Sequence, residues 1–286
     1  MKRVICLSVA VMLLVVFIGG CSVRSDDPGI STETQSETIK PETTTETTTV
    51  ETTTEKSDET TLPEPLTFED KKLEREPLIY DEIDPDKPMV AITFDDGPSA
   101  HTPRLLNILK KYDVKATFFV VGSQIKGNEA LLQRMADEGH EIASHSWSHP
   151  HLTSLDIDDM SKQLNKTRSA IKEATGKDVF LVRPPYGSCD DTVKYVAAEQ
   201  GVSLIMWSVD PRDWQYRNAS SVYSRTMSSV RNGDIILYHD LHGTTVDAME
   251  NVIPALINKG YQLVTVSELL TYEKDELNAG YVYRRR

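Results

Sequence analysis

The chain has 286 residues, 39% hydrophobic and 26% charged, with a formal net charge of −13. That balance excludes a polybasic nucleic-acid binder, whose phosphate contacts need clustered lysine and arginine. The length allows one sizeable domain with flanking segments.

The first residues read as an export signal. Lys2-Arg3 is followed by an apolar run to Gly20, and small residues precede Cys21. Ile18-Gly-Gly-Cys21 resembles a bacterial lipobox, which implies cleavage after residue 20, a lipidated Cys21 and a chain anchored on the outer side of the cell membrane, facing the wall. The alternative, an uncleaved membrane span, also leaves the rest of the chain outside the cytoplasm. Residues 21–87 have the composition of a tether. Between Ser31 and Thr61, 14 of 31 residues are threonine, with glutamate next and no aromatics, too little apolar surface to offset the entropy of ordering. Residues 22–88 carry 19 acids against 7 bases, net −12. Removing that and Lys2 and Arg3 from −13 leaves −3 for residues 89–286. The acidity belongs to the tether.

Residues 88–286 alternate. Strands are expected at Met89–Phe94, Ala116–Val121, Glu141–Ala143, Val179–Val182, Leu204–Trp207, Asp234–Tyr238 and Gln262–Val264. Helices are expected at Thr102–Tyr112 and Asn128–Glu138, from Asp156 to Gly176, and near Asp191–Gln200, Ser220–Val230 and Asp247–Lys259. Strand–helix alternation implies an α/β fold with a parallel sheet, open or closed into a barrel, whose working groups gather at the carboxyl ends of the strands.

Polar motifs stand at those ends. Asp95-Asp96-Gly97-Pro98 closes the first strand, and two adjacent carboxylates repel unless a cation or an arginine compensates them. Ser144-His145-Ser-Trp-Ser-His149-Pro-His151 follows the third. His145 and His149 are four apart, and one helical turn would bring both imidazoles to the same side. Two histidines and a carboxylate make a catalytic zinc set with an open position; His151 is a competing ligand with poorer spacing, and a polar loop is the alternative. Arg183-Pro-Pro-Tyr186-Gly187, Asp210-Pro-Arg-Asp213-Trp214 and Leu237-Tyr-His239 follow later strands. Asp210 could support Arg183 or sit in a solvated turn. His242 could approach the site, while His101 and His140 read as structural or exposed. Cys189 has no disulfide partner once Cys6 is cleaved away and Cys21 lipidated.

In content and order these five motifs resemble those of the polysaccharide deacetylases, which share the NodB homology domain and form carbohydrate esterase family 4. The resemblance runs from about Pro88 to Leu270. It implies a distorted (β/α) barrel with fewer than eight strands and hydrolytic removal of acetyl groups from a glycan. By the same resemblance Asp96, His145 and His149 hold Zn2+ (Co2+ is an alternative), Asp95 is the general base and Arg183 aims it. His239 is the general acid, supported by Asp213. The backbone N–H of Tyr186 helps hold the oxyanion, and Trp214 and Leu237 line the acetyl pocket. The substrate expected is N-acetylglucosamine of peptidoglycan or chitooligosaccharide, with de-O-acetylation of a xylan-like polymer as alternative and a non-catalytic glycan-binding relic as a third reading. The partners are thus a glycan and a membrane; nothing points to nucleic acid or to a protein.

Overall fold

The computed structural model describes residues 66–73, 83–273 and 276–286. The signal segment, Cys21 and most of the tether lie outside the described residues. The order is β1 (Met89–Asp95), α1 (Thr102–Lys111), β2 (Thr117–Val120), α2 (Glu129–Asp137), β3 (Glu141–Ser144), α3 (Ile157–Thr175), β4 (Leu181–Val182), α4 (Asp191–Glu199) and β5 (Ser203–Ile205). There follow α5 (Asp213–Tyr216), α6 (Ala219–Ser229), β6 (Ile235–His239), α7 (Gly243–Asn258), β7 (Gln262–Val264), α8 (Val266–Thr271) and β8 (Val282–Tyr283).

The strands pair in parallel in the order β6-β1-β2-β3-β4-β5, and β7 pairs the first half of β1. These seven make the distorted α/β barrel of the NodB type. The two-residue β8, from the C-terminal tail, is added in parallel at the β5 edge. Beyond it, Arg285 bridges to Asp234 at the start of β6.

All seven residues of β1 are buried, as expected of a strand covered on both faces. Alternation sorts them. Val90, Ile92 and Phe94 join Leu105, Leu109, Val252 and Leu256 in the cluster between sheet and helices. Met89 and Ala91 join Phe119, Ala143, Leu181, Ile205 and Ile235 inside the barrel. Thr93 and Asp95 share that inner register, so the pleat alone aims Asp95 into the barrel. Local signals end the elements: Asp156 caps α3 by accepting from Asp159 N, and Gly176 ends it at φ 69°.

The helices and strands lie within a few residues of the expected bounds. The short α5, α8 and β8 were not expected. One stretch assigned to the tether on composition differs. Residues 66–73 pack on the domain: Lys72 bridges antiparallel to Asn278, Leu73 N donates to Leu277 O at 2.9 Å, and the Leu73 side chain is 3% exposed. The folded part therefore starts before residue 88.

Candidate active site

Asp95 ends β1, almost fully buried, and Arg183 reaches it from the end of β4. Arg183 Nη1 donates to Asp95 Oδ1 at 2.6 Å and to Thr93 Oγ1 at 2.7 Å. Nε and Nη2 donate to the carbonyls of Ile205 and Met206 at 3.2 and 3.1 Å. The guanidinium also lies 4.0 Å over the Phe119 ring. Every side of this planar fork is occupied, which holds a fully buried cation in one place. Burial pulls the Arg183 pKa down, and the charge and hydrogen bond of Asp95 oppose the shift.

Asp96 sits next in sequence but in another conformation. Its φ of 71° is left-handed, which Asp tolerates better than most residues. This turn brings its carboxylate to the same imidazole, His145 Nε2, that lies near Asp95. Oδ1 lies 3.3 Å from His145 Nε2 and 3.1 Å from His149 Nε2. The histidines meet without the helical turn expected for them: residues 145–151 form a loop in which Ser146 and His149 have φ of 64° and 62°. Ser146 Oγ accepts from His149 N at 3.1 Å, which closes that loop locally.

The tautomer of His145 is fixed. Its Nδ1 lies 2.6 Å from the Arg183 carbonyl, which can only accept, so Nδ1 carries the proton and Nε2 is left with its lone pair. That lone pair faces Asp96 Oδ1, which is buried without a hydrogen-bond partner. Burial raises the Asp96 pKa, but the hydrogen bonds and charge of the two imidazoles in their protonated form overcome it and hold the carboxyl far below its usual range. The three ligand atoms lie within 4.8 Å of one another. Two imidazole nitrogens and a carboxylate oxygen converging on one point, with a carbonyl orienting one imidazole from behind, are what a divalent cation needs. The residues fit a metal.

Across the cleft, His239 ends β6, in register with Asp95. Its Nδ1 donates to Asp213 Oδ1 at 2.9 Å and its backbone N to Asp213 Oδ2 at 2.7 Å. Trp214 N and Thr245 Oγ1 complete the shell of this fully buried carboxylate at 2.9 and 2.8 Å. Burial lowers the His239 pKa, but the hydrogen bond and charge of Asp213, followed by Asp95 and Asp96, raise it to about 9.

A cleft of about 400 Å³ joins these groups, and Tyr186, Trp214 and Leu237 line it. Tyr186 has a φ of 59°; its exposed ring stacks on His151 at 4.1 Å and meets His149 edge-on at 4.6 Å. His151 is thereby a support for Tyr186 rather than a member of the ligand group. Leu237 is both core and pocket wall, 4% exposed. Asp210 also lines the cleft, but its carboxylate accepts from Arg212 N at 2.7 Å in a turn and makes no hydrogen bond to Arg183. His242 lines the cleft, and burial and Arg217 lower its pKa. His140 is buried, its pKa lowered to about 4 by burial and then by Lys115, and its Nδ1 accepts from Ala116 N. Burial pushes the Cys189 thiol up, away from a nucleophilic thiolate. A larger cavity, about 550 Å³, opens at the amino ends of β3 and β4, but the converging ligand set is in the smaller one. Chemistry, not volume, locates the site.

Two supporting residues went unassigned in the sequence. Thr93 was legible, two residues before Asp95 on the same strand face. Thr245 was not, since 32 residues separate it from Asp213.

The family described as "Polysaccharide deacetylase" matches residues 82–205, which include both aspartates, both histidines and Arg183. A peptidoglycan-N-acetylglucosamine deacetylase, PgdA, of Listeria monocytogenes is 44% identical over 63% of this chain and 38% of its own length. The solved structure of the peptidoglycan deacetylase PdaC from Bacillus subtilis is 42% identical, covering 67% of this chain and 94% of that one, with a TM-score of 0.64. A bifunctional xylanase/deacetylase of Pseudobutyrivibrio xylanivorans is 40% identical over 68% of this chain and 32% of its own length. The chain belongs to the polysaccharide deacetylase family. It spans about two fifths or less of the length of the curated relatives named here.

Proposed function

We propose that this chain is a zinc-dependent de-N-acetylase of cell-wall glycan, acting on N-acetylglucosamine residues of peptidoglycan or chitooligosaccharide. The observation that carries this reading is the division of labour in one cleft: an arginine-held carboxylate and a ligand triangle on one side, and a carboxylate-held histidine on the other. An amide is a poor electrophile with a poor leaving group, so it needs both. Asp96, His145 and His149 would hold the zinc, which when bound would supply Lewis acidity toward the acetyl carbonyl and lower the pKa of a water toward about 7. Asp95 takes the proton of the attacking water on Oδ2, since Arg183 holds Oδ1. The Tyr186 backbone N–H donates to the developing oxyanion, and Trp214 and Leu237 flank the acetyl methyl. His239, charged through Asp213, gives its proton from Nε2 to the departing nitrogen.

Acetate release from peptidoglycan, chitooligosaccharide and acetylated xylan, measured side by side, tests this. Release from the two N-acetylated substrates is expected. Release from acetylxylan alone would favour the second reading, de-O-acetylation, which the xylanase/deacetylase relative supports. Zinc content measured on Asp96→Ala, His145→Ala and His149→Ala is expected to fall together with turnover.

The sequence supports a placement as well: export, lipid attachment at Cys21 and a tether of up to roughly 150 Å, at ~3.3 Å per residue for the residues before 66, letting a membrane-anchored domain reach the wall. Cys21→Ser should abolish incorporation of labelled palmitate in a bacterial host; retained label would sink the anchor.

A further inference from the structure

Asp240 follows His239 at the end of β6 and is wholly buried outside the cleft. Its Oδ2 accepts from the hydroxyl of Thr102, the first residue of α1. The same hydroxyl accepts from Ser99 N at 2.7 Å, and Ser99 Oγ donates to the Asp240 carbonyl at 2.7 Å. The remaining oxygen, Oδ1, has no hydrogen-bond partner. It presses on Gly97, where an added Cβ would lie 2.5 Å from it. Leaving a buried polar atom unsatisfied costs about 1–3 kcal/mol, so an apolar residue would be the cheaper filler. Nothing in the acetyl chemistry touches this carboxyl. What it touches, at Thr102 and Gly97, with Ser99 on the Asp240 main-chain carbonyl as a third tie, is the segment that leaves the metal-ligand triangle.

The ladder between β1 and β6 ends at the pair Asp95 and His239. Asp96 is the first residue beyond it, in a left-handed turn past the last residue of β1. On its other flank the Gly97 carbonyl accepts from Val121 N at 3.0 Å, so the loop hangs between β2 and the end of β6. From Asp96 onward the β6 side of the loop is tied through Asp240.

We infer that Asp240 is a positioning residue, clamping segment 97–102 to the end of β6 and thereby fixing the Asp96 carboxylate relative to His239. The inference rests on the proposed function where it treats His239 as the acid. Its geometric part, the placing of Asp96, stands without that. A displacement of about 1 Å in a catalytic group can cost on the order of 10²-fold in rate.

The experiment uses the full chain with Asp240→Ala, Asp240→Asn and Thr102→Val. Zinc affinity is read without substrate by competition with a chromophoric chelator, and kcat is read at saturating zinc on an N-acetylated oligosaccharide. Asp240→Ala should bind zinc about tenfold more weakly and lose on the order of 10² in kcat, at little change in KM. Asp240→Asn keeps the acceptor toward Thr102 and should recover most of both losses. Thr102→Val keeps the shape, removes the tie and should fall between them; it carries the test if Asp240→Ala does not fold. Wild-type zinc affinity and kcat in Asp240→Ala, or losses in Asp240→Asn equal to those in Asp240→Ala, would overturn the clamp. Weakened zinc binding in a chain that is inactive on every acetylated glycan would instead leave the clamp standing and refute the proposed function.

Discussion

The cleft contains two buried ion pairs, and they are built differently. Asp95 and Arg183 meet at 2.6 Å with side-chain exposures of 3% and 0%. Asp213 and His239 meet at 2.9 Å with exposures of 0% and 15%. In the first pair the cation keeps its proton at any working pH and is locked by four hydrogen bonds, so the carboxylate, with one free oxygen, is the working member. In the second the carboxylate is saturated by four donors, and the half-open imidazole, which can release its proton, is the working member. A buried pair is weak evidence for stability in itself. Here the partner that can exchange a proton is in each case the one facing the cleft, which under the proposed mechanism would let one fold run base and acid chemistry a few ångströms apart.

The sharpest way to break this contrast is Asp95→Asn. It removes a base and not a ligand, so zinc content by elemental analysis should hold while kcat falls toward the upper end of about 10²–10⁴-fold, on an N-acetylated sugar and on an aryl acetate alike. An emptied metal site would mean that the two aspartates have exchanged roles. Next, His239→Ala should cost roughly 10²–10³ on the amide, whose nitrogen must be protonated, and far less on the aryl ester, whose phenolate leaves unaided. Equal losses on both would make His239 an oxyanion or positioning group. Asp213→Asn should be milder and pH-dependent. Its hydrogen bond and charge raise the His239 pKa to about 9 against burial, so the alkaline limb of the pH–rate profile should move down by two units or so. The loss is then small near pH 6 and on the order of tenfold or more at pH 8. A cation at Asp96 offsets the contribution of the site carboxylates, which rank behind Asp213. The sign for stability follows: a raised folded pKa makes this contribution full below about 6.5 and lost as the pH climbs through about 9. An unmoved limb would detach His239 from the profile. The smallest effect on activity belongs to Leu73→Ala, outside both pairs. It should lower stability by about 2–3 kcal/mol in denaturant unfolding and leave kcat unchanged.

Strand ends were readable because Gly97-Pro98, Pro184-Pro185 and Pro211 punctuate apolar runs, and ligand types were readable because histidine four residues from histidine is conspicuous. How those residues meet was not. The histidine pair closes through two left-handed residues, a tertiary outcome that spacing cannot distinguish from a helical turn. Thr245 and Asp240 carry no local signal; both act through partners more than 30 residues away. Residues 66–73 were lost in acidic composition, because Phe68 and Leu73 become apolar anchors only when Tyr281 and Leu277 arrive from the far end of the chain.

Among the described residues eight that are not glycine have positive φ, and five of them, Asp96, Ser146, His149, Tyr186 and Arg212, lie in loops at the cleft. Each costs of order 1 kcal/mol or more, against a total stability of about 5–15 kcal/mol for a domain of ordinary size. Selection for robustness alone would therefore find its easiest gains here, by exchanging such residues for glycine. At Arg212 that exchange spares the proposed ligands and proton carriers; at Asp96 or His149 the same exchange discards a proposed ligand. The rim of this cleft is where a lineage released from its substrate would drift first, becoming sturdier as it falls silent.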